Sequence, residues 1–191
     1  MSFTPYSVSN QQFSDAAHQL AAKEIYPQVF RCDASAITIQ SMNVQDGGIS
    51  AVYDGKLGID KIIAVSVNGL RAPLLFSVQE RFRRPKNISF QTLTITEWNH
   101  ETNVPSELYK IKADLFVYGY YDESLRKLGR CIVADTSKLL WSIANKKIKF
   151  MPCTNERANQ TYIEFKFTDL HAAGVLLWDS AQQGIQSNGI A

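Results

Sequence analysis

The residues best suited to chemistry lie on two neighbouring predicted strands. Asp60 introduces the apolar run KIIAVSV, and Gln79, Glu80 and Arg81 lie in the later run LLFSVQERFR. An antiparallel hairpin between the two runs would bring Asp60 close to the later group. Side chains alternate along a strand, so Gln79, Arg81 and Arg83 should share one face. Glu80 should lie on the opposite, apolar face, where a buried carboxylate needs a partner.

This pattern resembles the PD-(D/E)XK nuclease superfamily, which has the restriction-endonuclease-like fold. GIDKIIAV followed by FSVQERFRR is similar to the glutamine variant of the motif found in Mrr-type restriction enzymes. The resemblance implies that Asp60 and Gln79 are metal ligands and that Glu80 contributes its carbonyl or side chain. It implies that Arg81 takes the place of the catalytic lysine, and that Glu24 on the first helix is a further metal ligand with an inward carboxylate.

The chemistry implied by this resemblance is metal-dependent cleavage of DNA, with Mg²⁺ or Mn²⁺ as cofactor and a homodimer as the cutting unit. Hard cations bind carboxylate and carbonyl oxygens and keep waters that can serve as nucleophiles. Arg81 departs from the family's lysine, because an arginine stays protonated and cannot act as a base. It can still hold a phosphate through two parallel hydrogen bonds, so electrostatic stabilisation is retained.

A basic run follows the motif and provides a second interpretation. Arg83, Arg84 and Lys86 continue from Arg81 at the end of the strand, where a phosphate backbone would approach. The alternative function is therefore a catalytically inactive nuclease-like domain that binds nucleic acid through this patch. A third possibility is an interaction protein without a nucleic-acid role, in which the basic run is a solvated face.

Structural roles stay open for two of the candidate ligands. Glu24 lies at the end of a predicted helix, where Lys23 or Arg31 would be a simple salt-bridge partner. Asp60 would also serve as an ordinary turn or cap residue before its strand. Gln79 and Glu80 favour a site more strongly, because polar groups inside an apolar strand cost free energy unless they are paired.

Several enzyme classes lack support in the sequence. It contains no GxGxxG, GxxxxGK[ST] or GxSxG motif, and its three histidines show neither HExxH nor HxH spacing. The three cysteines are far apart and form no CxxC pair, which argues against a disulfide framework or a zinc ribbon.

The pattern of the chain predicts an α/β fold with a mixed, largely antiparallel central sheet flanked by helices. Helices are expected over 11–26, 105–113, 135–147 and 169–179. Strands are expected over 36–44, over 46–58 as hairpin segments, and over 59–67, 74–83, 89–98, 114–122, 130–135 and 162–167. The strand over 114–122 is apolar throughout, as is typical of a strand buried on both faces.

Composition limits the domain count and the class of partner. The chain has 191 residues, of which 45% are hydrophobic and 20% charged, which predicts one packed domain over 1–179 and a flexible tail over 180–191. A net charge of +2 provides no bulk attraction to polyanions, so a nucleic acid would need a local basic patch. No signal peptide or apolar span is visible, and we expect a cytoplasmic protein.

Overall fold

A computed structural model describes residues 8–182 and shows two β-sheets with helices packed against them. The predicted frayed tail lies outside the described residues from 183 onward. The α-helices are α1 (Val8–Glu24), α2 (Tyr26–Phe30), α3 (Gly48–Leu57), α4 (Glu107–Lys110), α5 (Thr136–Ala144) and α6 (Phe167–Ala172). The strands are β1 (Ile37–Ser41), β2 (Lys61–Val65), β3 (Leu74–Arg83), β4 (Thr92–Asn99), β5 (Val104–Pro105), β6 (Leu115–Asp122), β7 (Lys127–Asp135), β8 (Met151–Asn155), β9 (Gln160–Lys166) and β10 (Leu176–Asp179).

The main sheet has six strands in the order β1-β2-β3-β6-β7-β10. All of its neighbouring pairs are antiparallel except β3 with β6, so the prediction of a mixed α/β sheet is confirmed. β6 lies at the centre and is buried along nearly its whole length, as its continuous apolar sequence indicated. Phe116 and Tyr118 face one side of the sheet, while Leu115 and Val117 face the other.

The second sheet has four strands in the order β5-β4-β9-β8. Two of these strands, β4 and β5, lie in the connection between β3 and β6, and the other two follow α5. Leu93 and Ile95 of β4 and Phe165 of β9 pack with Phe116 and Tyr118 of the main sheet to form the largest apolar cluster. The second sheet therefore covers one face of the first.

Helices α1 and α2 cover the opposite face of the main sheet. Ala17, Ala21 and Ile25 are almost fully buried, and they recur every four residues along one side of the helical segment. The small alanines allow the helix to approach the sheet closely. Pro27 does not end the helical segment. It lies in the first turn of α2, where the backbone N–H that proline lacks would have no partner within the helix.

Two predicted elements were wrong, and an edge strand was missed. Residues 48–57 form the helix α3 instead of hairpin strands, and Gly58 ends it in a left-handed conformation (φ 57°). The helix expected over 169–179 stops at Ala172, and Leu176–Asp179 form β10 instead. Strand β8, which was not predicted, pairs with β9 at the edge of the second sheet.

The start of helix α5 could be predicted from its local sequence. Asp135 caps its N-terminus by accepting a hydrogen bond from the Lys138 backbone N–H at 3.0 Å. Its buried side includes Leu139, which packs into the cluster between the sheets.

In residues 8–182 no helix has the length and apolar character that crossing a membrane would require.

Candidate functional site

The β2–β3 hairpin brings Asp60 beside Gln79. Lys61 pairs with Val78 in the antiparallel register, so Asp60 lies opposite Gln79 just beyond the end of β2. Asp60 Oδ2 accepts a hydrogen bond from Gln79 Nε2 at 2.9 Å and another from the Glu80 backbone N–H at 2.6 Å. Asp60 and Gln79 therefore lie close together, as expected. The two hydrogen bonds of Asp60 join the start of β2 to β3.

The Asp60 carboxyl has an unusual acidity. Burial raises its pKa from 3.8 to about 7, against the opposing effects of the Glu80 N–H bond and of the charge on His18. The nearby carboxylates of Glu80 and Asp54 raise the pKa further. The Asp60 carboxyl therefore keeps its proton to a higher pH than an exposed aspartate does.

Gln79 presents its amide nitrogen, not its oxygen, to Asp60. Gln79 Oε1 is buried and has no hydrogen-bond partner among the described residues. A Cβ built on Gly58 would lie 3.0 Å from this oxygen, which shows how closely the turn before β2 packs against the amide. The oxygen that was expected to bind a metal is thus enclosed by protein.

Glu80 points to the opposite face of β3, toward α1 and α2. Its carboxylate is fully buried and accepts a hydrogen bond from the Tyr26 hydroxyl, while His18 Nδ1 contacts its other oxygen. Burial, followed by the charge and hydrogen bond of Glu80, raises the pKa of Tyr26 well above its usual value, so the phenol keeps its proton. The expectation that a buried Glu80 needs partners is confirmed.

His18 connects Glu80 to Ser14. His18 and Ser14 are four residues apart on α1 and therefore lie on the same side of the helix. The Ser14 hydroxyl lies 2.9 Å from His18 Nε2, while Nδ1 on the other side of the ring contacts Glu80. The imidazole also packs edge-on against Phe82, with ring centroids 5.7 Å apart. The histidine is thus fixed from three sides.

Arg81 lies on the same face of β3 as Gln79 and reaches the second sheet. Its guanidinium forms an ion pair with Glu107 and contacts Thr96 Oγ1 at 3.4 Å. Glu107 also accepts a hydrogen bond from the Thr96 backbone N–H at 3.2 Å. Arg81 therefore joins the two sheets as well as facing the site.

The other candidates lie in different surroundings. Glu24 is exposed and lines a separate cavity beside Cys131, so its carboxylate does not extend the buried stripe of α1. Arg84 binds Glu123 at 3.1 Å and lies over the Phe13 ring, while Lys86 is exposed at the following 3-10 turn. Of the three residues predicted to bind nucleic acid, Arg83 alone lines the cavity described next.

A cavity of about 680 Å³ surrounds the free end of β3. Pairing of β3 with β2 ends at Val78, so residues 79–83 have a neighbouring strand only on the β6 side. The cavity passes around this open edge between α1 and the second sheet. We call it the central cleft; its polar lining includes Ser14, His18, Glu80, Arg81, Arg83, Thr94, Thr96, Asn155, Glu156, Arg157 and Gln160.

The predicted metal-ligand set is not assembled around one point. Asp60 Oδ2 already accepts two hydrogen bonds, Gln79 Oε1 is enclosed against Gly58, and the Glu80 carboxylate faces the other side of the sheet. Glu24 lines a different cavity. In residues 8–182 no three His, Cys, Asp or Glu side chains converge as a cation site would require. These side-chain donors do not fit the Mg²⁺ or Mn²⁺ site that the resemblance implies, and a metal contact of the Glu80 carbonyl stays a prediction.

Sequence reasoning missed three residues of the cleft, Ser14, His18 and Arg157, and also the buried Tyr26, which contacts Glu80. The spacing of Ser14 and His18 was a visible signal, because residues four apart meet on one side of a helix. The contact of His18 with Glu80, which is 62 residues away, had no local signal. Arg157 lies in a turn between two strands, one of which was itself not predicted.

Comparison with known proteins gave no relative for this chain. No protein-family model, no curated protein and no solved structure matches it. The assignment of function therefore depends on the chemistry of the residues in and around the central cleft.

Proposed function

We propose that the central cleft binds a nucleic-acid strand through its phosphates. The observation that carries this proposal is the position of two guanidinium groups, Arg83 on β3 and Arg157 on the turn between β8 and β9. Among the described residues neither forms an ion pair with a carboxylate, although both line the same cavity. A guanidinium matches the geometry of a phosphate through two parallel hydrogen bonds.

The remaining lining of the cleft suits a phosphodiester better than an apolar ligand. Thr94, Asn155 and Gln160 supply neutral hydrogen-bonding groups of the kind that contact phosphate and sugar oxygens. Glu156 is the acidic neighbour of Arg157 in the same turn and would limit how many phosphates the cleft accepts. The cavity volume of about 680 Å³ lies within the range of about 300–1,000 Å³ typical of ligand sites.

DNA is the first polymer to test, because the resemblance of the β2–β3 motif implies it. Metal-dependent cleavage of DNA stays a prediction from that resemblance. Asp60, Gln79 and Arg81 share one face of the hairpin end, as the motif requires, but the oxygen donors do not converge. Strand binding is therefore the function that the geometry supports best.

Binding is measured by fluorescence anisotropy of labelled single-stranded and duplex oligonucleotides, with DNA and RNA, over a series of salt concentrations. We expect Arg83→Gln and Arg157→Gln each to weaken binding by at least about tenfold, since each removes a charged hydrogen-bonding group worth roughly 1.5–3 kcal/mol. Each change should also lower the slope of log K against log salt by about 0.7 for a single strand.

Arg71→Gln is the matched control. Arg71 is exposed in the β2–β3 connection, at the end of β3 opposite Arg83, about 30 Å away at ~3.3 Å per residue. This variant should bind like the wild type. Equal weakening by Arg71→Gln would indicate non-specific charge attraction, and an absence of binding by the wild type to all four oligonucleotides would reject the proposal.

A further inference from the structure

The contacts of His18 define an ordered chain of groups at one wall of the central cleft. Ser14 Oγ lies 2.9 Å from His18 Nε2, and His18 Nδ1 contacts one carboxylate oxygen of Glu80. The other oxygen of Glu80 accepts a hydrogen bond from the Tyr26 hydroxyl. Glu80 has no exposed side-chain surface, whereas the His18 side chain is 19% exposed. This series of contacts therefore begins at a buried carboxylate and ends at a hydroxyl that lines the central cleft.

We infer that Ser14, His18 and Glu80 form a phosphoryl-transfer site in which Ser14 is the nucleophile, His18 the general base and Glu80 the group that orients the histidine. The inference rests on the proposed function, because the substrate is the phosphodiester strand bound in the cleft. A nucleophile, a base and an orienting carboxylate linked in this order are the arrangement that activates a serine hydroxyl.

The proton positions follow from the partners of Glu80. Both carboxylate oxygens accept hydrogen bonds when Glu80 is ionised, one from Tyr26 and one from His18 Nδ1. His18 then carries its proton on Nδ1, and its Nε2 lone pair faces Ser14. In this neutral tautomer the Ser14 hydroxyl is the donor to Nε2, and the serine proton points at the atom that would accept it.

The surroundings favour a phosphodiester over a carboxylic ester. Arg81 and Arg83 line the same cavity as Ser14, and guanidinium groups stabilise the charge that is spread over phosphoryl oxygens during transfer. The described lining of the cleft is mostly polar, with Phe13 and Phe82 as its apolar rings on the α1 side. An acyl chain would find little apolar surface to contact.

The reaction balances in two steps with water as the co-reactant. In the first step, Ser14 Oγ bonds to phosphorus, the bond to one ester oxygen breaks, and the serine proton passes through His18 Nε2 to that leaving oxygen. In the second step, a water oxygen bonds to phosphorus and gives a proton to Nε2. The phosphorus–Ser14 bond breaks, and Ser14 Oγ recovers the proton from His18.

A purely structural role would use the same contacts differently. Ser14 would only hold His18, and His18 would only satisfy the buried charge of Glu80. That role predicts no covalent adduct, and it predicts that removal of the Ser14 hydroxyl changes stability alone. Covalent trapping on Ser14 therefore separates the two roles.

The experiment uses the full chain in EDTA with an end-labelled oligonucleotide, the variant Ser14→Ala and the control Ser137→Ala. Alanine favours a helix, so Ser14→Ala should keep α1, which circular dichroism and thermal unfolding would verify. Ser137 is exposed on α5 and lines a different cavity. Acid quenching followed by peptide mass spectrometry detects Ser14 joined through phosphorus to one fragment of the strand.

We expect the wild type and Ser137→Ala to cut the strand in EDTA and to form an adduct on Ser14. Ser14→Ala should lose cleavage by at least about 100-fold and form no adduct. Unchanged cleavage by Ser14→Ala, or strand binding by the wild type with neither cleavage nor adduct, would overturn the inference and leave the binding function intact.

A second substrate keeps the two proposals separable. Bis(4-nitrophenyl) phosphate is a small diester that does not need a strand-length binding surface. One outcome is that the oligonucleotides do not bind, but the wild type hydrolyses this diester and Ser14→Ala does not. The role of Ser14 as nucleophile is then supported, and strand binding is rejected. If neither oligonucleotides nor the small diester react, the phosphoryl-transfer site is rejected.

Discussion

The protonation of Asp60 should make the stability of the fold depend on pH in an unusual direction. Its folded-state pKa is about 7, against 3.8 for an unperturbed aspartate, because burial disfavours the ionised form. Between these pH values the folded protein binds more protons at this position than the unfolded chain does. Stability therefore falls as pH rises through this interval, which is the opposite of the trend for a salt-bridged aspartate.

The size of the effect follows from the shift. One pKa unit corresponds to about 1.36 kcal/mol, so the shift of Asp60 amounts to roughly 4 kcal/mol of stability lost between pH 4 and pH 8. Asp60→Asn keeps a side-chain oxygen that can accept from Gln79 and from the Glu80 N–H, and it has no proton to lose. This variant should lack the Asp60 contribution to the pH dependence.

The assay is urea unfolding of wild type and Asp60→Asn at pH 4, 6 and 8 in EDTA. As pH rises from 4 to 8, the unfolding free energy of Asp60→Asn minus that of the wild type should increase by roughly 4 kcal/mol. Taking this difference removes the contributions of the other titrating groups. A difference that stays constant from pH 4 to pH 8 would refute the reasoning about Asp60.

Two further substitutions test the packing around the site. Gly119→Ala should destabilise the fold by about 1–3 kcal/mol in urea unfolding, because the new Cβ would overlap Cys131 Sγ, and adding Cys131→Ala should recover most of the loss. Glu80→Gln should cost about 1–3 kcal/mol, because its amide cannot accept from both partners, whereas Glu123→Gln at an exposed ion pair should cost less than about 1 kcal/mol. An equal cost at both glutamates would contradict the importance of burial.

The hairpin that positions Asp60 and Gln79 was predictable because its signals are local. The strands β2 and β3 are consecutive, and the alternation along β3 correctly separated Arg81 and Arg83 from Glu80. Period-two patterning fixes which side chains share a face before any long-range contact is known.

Helix α3 was missed because its glycines were interpreted as hairpin turns. Gly47 and Gly58 instead flank a helix in which Tyr53 and Leu57, four residues apart, lie on one side. Tyr53 and Leu57 pack against the large cluster between the sheets. Glycine marks the end of a helix as readily as a turn between strands, so the periodicity of the apolar residues was the more informative signal.

Sequence patterns predicted strands at β4 and β9 but not their pairing into a second sheet, for a different reason. Its strands β4 and β9 are separated in the chain by β6, β7 and α5, and its edge strand β8 is short and contains Pro152. A proline lacks the N–H of a central strand and lowers the strand signal, although an edge strand tolerates it. The pairing of β4 with β9 depends on tertiary packing and has no local signature.

The central cleft exists because β3 is longer than its partner β2. Had β2 continued alongside residues 79–83, it would have occupied the open edge and separated the α1 side of the sheet from the side facing β4 and β9. The chain instead turns away at Asp60, whose carboxylate takes over the pairing by accepting the Glu80 N–H. Asp60 thus substitutes for the strand that would have closed the cleft. The open edge lies in the same cavity as Ser14, His18, Arg83 and Arg157, the residues to which we assign substrate contacts.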